Sequence, residues 1–62
     1  MYFNLRDFPK FWRYYSRIAE DKRSWIYCFH DDGFPSVKQV AQSWYTVEMD
    51  DDEYTWFVLK WS

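Results

Sequence analysis

The stretch Tyr54–Trp61, with the sequence YTWFVLKW, decides how the rest of this chain is interpreted. β-Branched and aromatic residues dominate it, and neither proline nor glycine interrupts it, which is typical of a β-strand. In a strand its side chains alternate between two faces: Phe57, Leu59 and Trp61 on one, and Tyr54, Trp56, Val58 and Lys60 on the other. Both faces are largely apolar, so the stretch predicts a strand that needs cover on two sides.

The length of 62 residues predicts a single compact domain spanning residues 1–62. Aromatic residues make up 27% of the chain, and their large rings let few residues fill a core. Five tryptophans and six tyrosines exceed what a small core requires. Because both residue types are enriched where proteins bind each other, the composition also favours an aromatic contact surface.

Cysteine usage and the N-terminal sequence bear on the compartment. A single cysteine excludes an intramolecular disulfide, and no basic segment followed by an apolar run marks a secretion signal. The apolar runs are too short to span a bilayer. We therefore expect a reduced, soluble, cytoplasmic protein without membrane contacts. Because the chain starts at Met and has no linker or tail, we also expect a complete small gene product.

Charge is unevenly distributed along the chain. Residues 1–24 contain six Lys or Arg against three acidic residues, whereas residues 25–62 contain two against seven. The net charge of −2 therefore combines a basic first part with an acidic second part.

The clearest helical pattern covers about residues 7–21. Pro9 suits a first helical turn, where its missing N–H costs little. One apolar stripe at helical spacing follows, made of Phe8, Phe11, Trp12, Tyr15, Ile18 and Ala19.

Shorter patterns predict the remaining elements. Residues 25–30 alternate as a strand, and Gly33 supplies the positive φ that a turn needs. Ser36 and Gln39 form a capping-box pattern, which predicts a two-turn helix ending near Trp44. Residues 45–49 alternate as a strand, and an Asp50–Asp52 turn joins it to the last strand as a hairpin. The predicted fold class is α+β, a three-stranded, mostly antiparallel sheet with two helices on one face, in the order α-β-α-β-β.

Enzymatic chemistry is disfavoured. Cys28 and His30 would share a strand face, but one Cys and one His cannot supply a structural zinc set. The acidic run lacks the glycine and ligand spacing of a calcium loop, and the chain has too few glycines for a phosphate-binding loop. We therefore expect no catalytic, metal or cofactor site.

Two surfaces could bind a macromolecule. The partner-binding prediction combines an aromatic sheet face with an acidic hairpin whose carboxylates, standing in a row beside aromatic rings, could imitate a nucleic acid. Its residues are Trp44, Glu48, Asp50, Asp51, Asp52, Glu53, Tyr54 and Trp56. The alternative is direct nucleic-acid binding through the basic helix face, made of Lys10, Arg13, Tyr14 and Arg17.

The preferred hypothesis is a non-enzymatic module that occupies a surface of a larger protein, such as a nucleic-acid-handling enzyme or complex. Small, disulfide-free, aromatic-rich and acidic chains of this kind resemble the accessory inhibitors that bacteriophages and mobile elements make against host or defence proteins. The resemblance is one of kind, without a shared motif, so no residue role follows from it. Direct nucleic-acid binding is the second hypothesis, and a self-associating structural protein, such as a homodimer, is the third.

Overall fold

The computed structural model describes residues 1–62 and contains three α-helices and a three-stranded antiparallel sheet. The strands, in spatial order, are β1 (Tyr2–Asn4), β3 (Thr46–Glu48) and β2 (Lys38–Gln39). The helices are α1 (Pro9–Lys22), α2 (Ile26–Asp31) and α3 (Asp51–Trp61), with a 3₁₀ turn at Leu5–Asp7. The predicted α+β class with a three-stranded antiparallel sheet is confirmed. None of the helices has both the length and the apolarity needed to cross a membrane.

Helix α1 follows the sequence pattern closely. It begins at Pro9 and ends before Arg23, whose φ of 55° places it in the left-handed region that caps helices. Phe11, Tyr15 and Ala19, one turn apart on the predicted apolar stripe, are buried. The helix predicted at about residues 7–21 is therefore confirmed.

The strand predicted at residues 25–30 is wrong, because this segment forms α2. The Ser24 hydroxyl accepts the N–H of Ile26 at 3.1 Å and so satisfies a free donor at the start of the helix. Trp25, Cys28 and Phe29 are buried at helical spacing. Nearly every position in the segment is apolar, so the alternating and the helical period both fit, and burial against α1 decides between them.

The helix predicted after Ser36 is also wrong. Its residues form β2 and a six-residue loop that leads into β3, so the hairpin lies at Lys38–Glu48 rather than around Asp50–Asp52. The Gln39 amide donates to the carbonyl oxygens of Ser43 and Thr46, at 2.6 and 3.1 Å, and fixes the loop. The predicted strand at residues 45–49 corresponds to β3.

The final predicted strand is wrong as well, because residues 51–61 form α3 and Asp50 occupies its N-cap position. The acidic run therefore lies at a helix start, where negative charge opposes the positive end of the helix dipole. Ser36, which was predicted to cap its own helix, instead accepts the N–H of Asp50 through its hydroxyl at 3.1 Å.

Phe57 of α3 lies at the centre of the core. Its ring centroid is within 5.5 Å of five other phenylalanine rings, those of Phe3, Phe8, Phe11, Phe29 and Phe34. Phe3 and Val47, paired across β1 and β3, are buried beneath the helices, whereas Tyr2 and Asn4 point away and are exposed. The helices therefore pack on one face of the sheet, as predicted, although they number three rather than two.

Candidate binding surfaces

The solvent-facing side of α3 carries two strongly exposed apolar side chains. Trp56 and Leu59 lie one turn apart and are 68% and 69% exposed. Asp52 and Thr55 share this side, and together these four residues form the outer face of α3. The sequence prediction includes Trp56 and not Leu59, because a strand puts these two residues on opposite faces. The helical period of residues 51–61 places them on the same face.

An open acidic pocket of about 450 Å³ adjoins the outer face of α3, with Asp52 belonging to both. Carboxylates and one amine-bearing side chain surround it, together with the chain's first residue. The lining consists of Met1, Ser36, Lys38, Glu48, Met49, Asp50, Asp51 and Asp52. The predicted acidic residues Glu48 and Asp50–Asp52 are therefore brought together, although on a pocket rather than along a hairpin.

Two of the acidic side chains have partners within the chain. The Asp51 carboxylate lies 3.5 Å from the Met1 amine, and Glu53 accepts the N–H of Ser36 at 3.1 Å. Consecutive helical residues point about 100° apart, so the four carboxylates do not stand in the row that a strand or turn would give. Asp50 and Asp52 are exposed, and their side chains make no hydrogen bond within the chain.

The two other predicted aromatic anchors lie apart from Trp56. Tyr54 is half-buried against the core, with its ring 4.9 Å from Phe3. Trp44 lies in the hairpin loop, 37% exposed, and its ring is 6.0 Å from that of buried Trp25. The predicted exposed sheet face with Tyr54 beside Trp56 is not formed, because in a helix these two residues point about 160° apart.

The basic stripe of α1, made of Lys10, Arg13, Tyr14 and Arg17, is exposed along its length. Neither arginine takes part in a salt bridge, and Lys10 donates to the Ser62 carbonyl at 3.3 Å. Tyr14 is 68% exposed, and its ring centroid lies 5.9 Å from that of Trp61. The structure thus adds a second aromatic ring, that of Trp61, beside the stripe, whereas the sequence predicts Trp61 on a face of the last strand.

A buried carboxylate, that of Asp32, links the end of α3 to α1. The side chain of Asp32, which follows α2, is only 6% exposed and accepts from Lys60 at 2.6 Å and from the Trp61 indole at 2.7 Å. The hydroxyl of Tyr15 donates to the same carboxylate at 3.3 Å. We call these four residues the Asp32 cluster. It fixes the last turn of α3 against α1 and α2.

The cysteine and histidine do not form a reactive pair. Two residues apart on a helix, Cys28 and His30 point about 160° apart, and only Cys28 is buried. Burial, assisted by the charge of Asp31, raises the pKa of the Cys28 thiol to about 11. The thiol donates weakly to the Tyr15 carbonyl at 3.7 Å. No group of three or more His, Cys, Asp or Glu side chains is arranged to hold a metal ion.

Comparison with protein-family models, with curated proteins and with solved structures found no match for this chain.

Proposed function

We propose that this protein is a non-enzymatic binding module that occupies a surface of a larger protein through the outer face of α3 and the adjoining acidic pocket. The observation that carries the proposal is the exposure of Trp56 and Leu59 side by side on a helix whose other side packs against the core through buried Phe57. Trp is among the residues that contribute most to binding energy at protein interfaces. The Asp32 cluster and the contacts of Ser36 hold this helix at both ends, so little ordering entropy is lost when a partner binds.

The exposed rings and carboxylates indicate what the partner surface looks like. Burying the exposed part of Trp56, roughly 150 Å², contributes about 4 kcal/mol before the costs of association. The acidic pocket suits a Lys or Arg side chain of the partner, and Asp52 sits where apolar and charged contacts meet. We therefore propose that the partner offers an apolar cleft with a basic rim, as a cytoplasmic nucleic-acid-handling protein would. By occupying that cleft, this protein would act as an accessory inhibitor.

Site-specific photocrosslinking tests the proposal. A photoreactive phenylalanine analogue replaces Trp56 in one variant and Tyr27, which is 59% exposed on α2, in a matched control. In extract of the source organism, the residue-56 probe should crosslink one larger protein that the residue-27 probe does not reach. Excess unlabelled protein should abolish this crosslink, and excess D51K/D52K variant should not.

Three outcomes would contradict the proposal. Equal crosslinking from both probes would mean that contact is not specific to α3. A product of twice the chain's own mass would favour self-association instead. If the D51K/D52K variant competes as strongly as the original chain, the acidic pocket takes no part in the contact.

A further inference from the structure

We infer that the basic stripe of α1, extended by Trp61, is a separate binding surface for single-stranded nucleic acid. The inference does not depend on the proposed protein contact, because the residues involved belong to a different helix and to the last turn of α3. It rests on three observations: the placement of the cations, the exposure of Tyr14, and the position of Trp61.

The cations follow one side of α1. Lys10, Arg13 and Arg17 fall within a sector of about 60° around the helix axis and extend over about 10 Å of its length. Tyr14 lies about 40° to one side of Lys10 and, along the axis, between Arg13 and Arg17, so the four residues span about 100°. A strand of nucleic acid running along the helix would therefore meet a positive charge at each turn, with an aromatic face among the charges.

The structure shows that the two arginines of the stripe are available, whereas Lys10 donates to the Ser62 carbonyl at 3.3 Å and has to exchange this bond for one to a phosphate. The two salt bridges of the chain are Met1–Asp51 and Lys60–Asp32, so Arg13 and Arg17 are not neutralised by a partner. Asp21 lies on the same sector beyond Arg17 and reduces the charge at that end. Binding should consequently be weak and should depend strongly on salt, because it relies on about three phosphate contacts.

The aromatic rings favour nucleic acid over an acidic protein. Tyr14 is mostly exposed and rests against Trp61 with ring centroids 5.9 Å apart, so its free face is held in place without being covered. An exposed aromatic ring can stack on any base, so a tyrosine beside the three cations adds binding energy for a single strand without requiring a particular sequence. Acidic side chains of a polypeptide can pair with the arginines, but they have no planar group that stacks on the Tyr14 ring.

Fluorescence anisotropy with labelled single-stranded oligonucleotides of about ten nucleotides tests the inference. Three phosphate contacts predict that affinity falls about 20-fold between 50 and 200 mM salt. The R13Q/R17Q variant leaves one contact, so its affinity should fall only about threefold over the same range and should be lower at 50 mM. Lys38→Gln, which removes an exposed lysine beside the acidic pocket, is the matched control and should bind like the original chain.

Variants of Tyr14 separate stacking from charge. Tyr14→Ala should weaken oligonucleotide binding roughly 5- to 100-fold, whereas Tyr14→Phe keeps the ring and should bind normally. Tyr27→Ala, which removes an exposed tyrosine on α2, should have no effect. Circular dichroism on each variant verifies that the fold is intact, and Tyr14→Phe serves if Tyr14→Ala does not fold.

The inference is overturned if no oligonucleotide binds at 50 mM salt, or if R13Q/R17Q binds as tightly as the original chain. It is also overturned if polyglutamate competes as well as unlabelled oligonucleotide, which would identify an acidic protein as the partner. None of these results would affect crosslinking from residue 56, so the two proposals fail separately.

Discussion

Replacing Asp32 with alanine should remove a large part of the stability of this domain. The carboxylate accepts three donors. The Trp61 indole, at 2.7 Å and partly buried, should contribute most, about 1.5–3 kcal/mol, because it bonds to a charged group where solvent competes less. The Tyr15 bond is longer, and Lys60 is half exposed, so each should add less than about 1 kcal/mol. We expect a total loss of about 3 kcal/mol, against about 3–9 kcal/mol for a domain of this length.

Urea unfolding followed by tryptophan fluorescence measures this loss, and a thermal scan should show a Tm lower by about 12–24 °C. Asp32→Asn keeps the shape and a neutral acceptor, so it should lose about half as much. Asp31→Ala is the matched control, since the Asp31 side chain reaches only the Tyr15 hydroxyl, at 3.4 Å, and should cost less than about 1 kcal/mol. An Asp32→Ala variant as stable as Asp31→Ala would refute the reasoning.

The Asp32 cluster also sets a pH dependence. Burial and the charge of Asp32 raise the pKa of Tyr15 above its ordinary value of 10.0. The unfolded chain then loses its proton at a lower pH than the folded chain does, so stability is complete below pH 10 and falls as the pH rises further. In Asp32→Ala this alkaline decline should be smaller, which a series of urea titrations between pH 9 and 11 would show.

The remaining predictions concern three other parts of the chain. Phe57→Ala should cost about 3–5 kcal/mol and unfold most of the protein, whereas Trp56→Ala, one residue away but exposed, should change the free energy of unfolding by less than about 0.5 kcal/mol in denaturant titrations. Ser36→Ala should cost about 1 kcal/mol, because the Asp50 N–H loses its acceptor, and a stability equal to the original would show that this hydrogen bond is dispensable. Cys28, with its pKa raised to about 11, should react with a thiol reagent at pH 8 only as fast as the chain opens, so urea should accelerate the reaction. Rapid modification without urea would place the thiol at the surface.

Local sequence was sufficient for α1 because only one period fits it. Cations at residues 10, 13 and 17 and apolar residues at 11, 15 and 19 separate cleanly at helical spacing. Pro9 and Gly33, whose φ is 93°, also mark backbone conformations that their own chemistry dictates. These features could be predicted because the information lies within a few residues.

Local sequence failed where apolar residues occur at nearly every position. Residues 25–30 and 54–61 satisfy the alternating and helical periods alike, and their β-branched and aromatic side chains favoured the strand. The charges flanking α3 carried the missing signal, since Asp51–Glu53 at its start and Lys60 at its end match the dipole of a helix. Strand β1 has no local signal, because three residues become a strand only through pairing with β3.

The same distinction applies to the candidate surfaces. The members of the basic stripe were identified together because one helix carries them, and their binding role stays a prediction. The outer face of α3 was only half identified, since pairing Trp56 with Leu59 required the correct period. The proximity of Tyr14 and Trp61 depends on the Asp32 cluster. Because this cluster joins residues far apart in the chain, no short segment of sequence predicts it.

The central position of Phe57 has a consequence for how the chain folds. The ring of Phe57 packs against that of Phe3, near the start of the chain, and the Met49 N–H donates to the Met1 carbonyl. The contacts that define the fold therefore join residues far apart in sequence and close long loops. The entropy cost of closing these loops arises before the contacts between their ends can stabilise the chain. Folding should therefore be slower than that of a helical bundle of the same size. No native core can form before Phe57 has left the ribosome. Until then the nascent chain exposes most of its phenylalanines to solvent, where they are a target for chaperones and a source of aggregation.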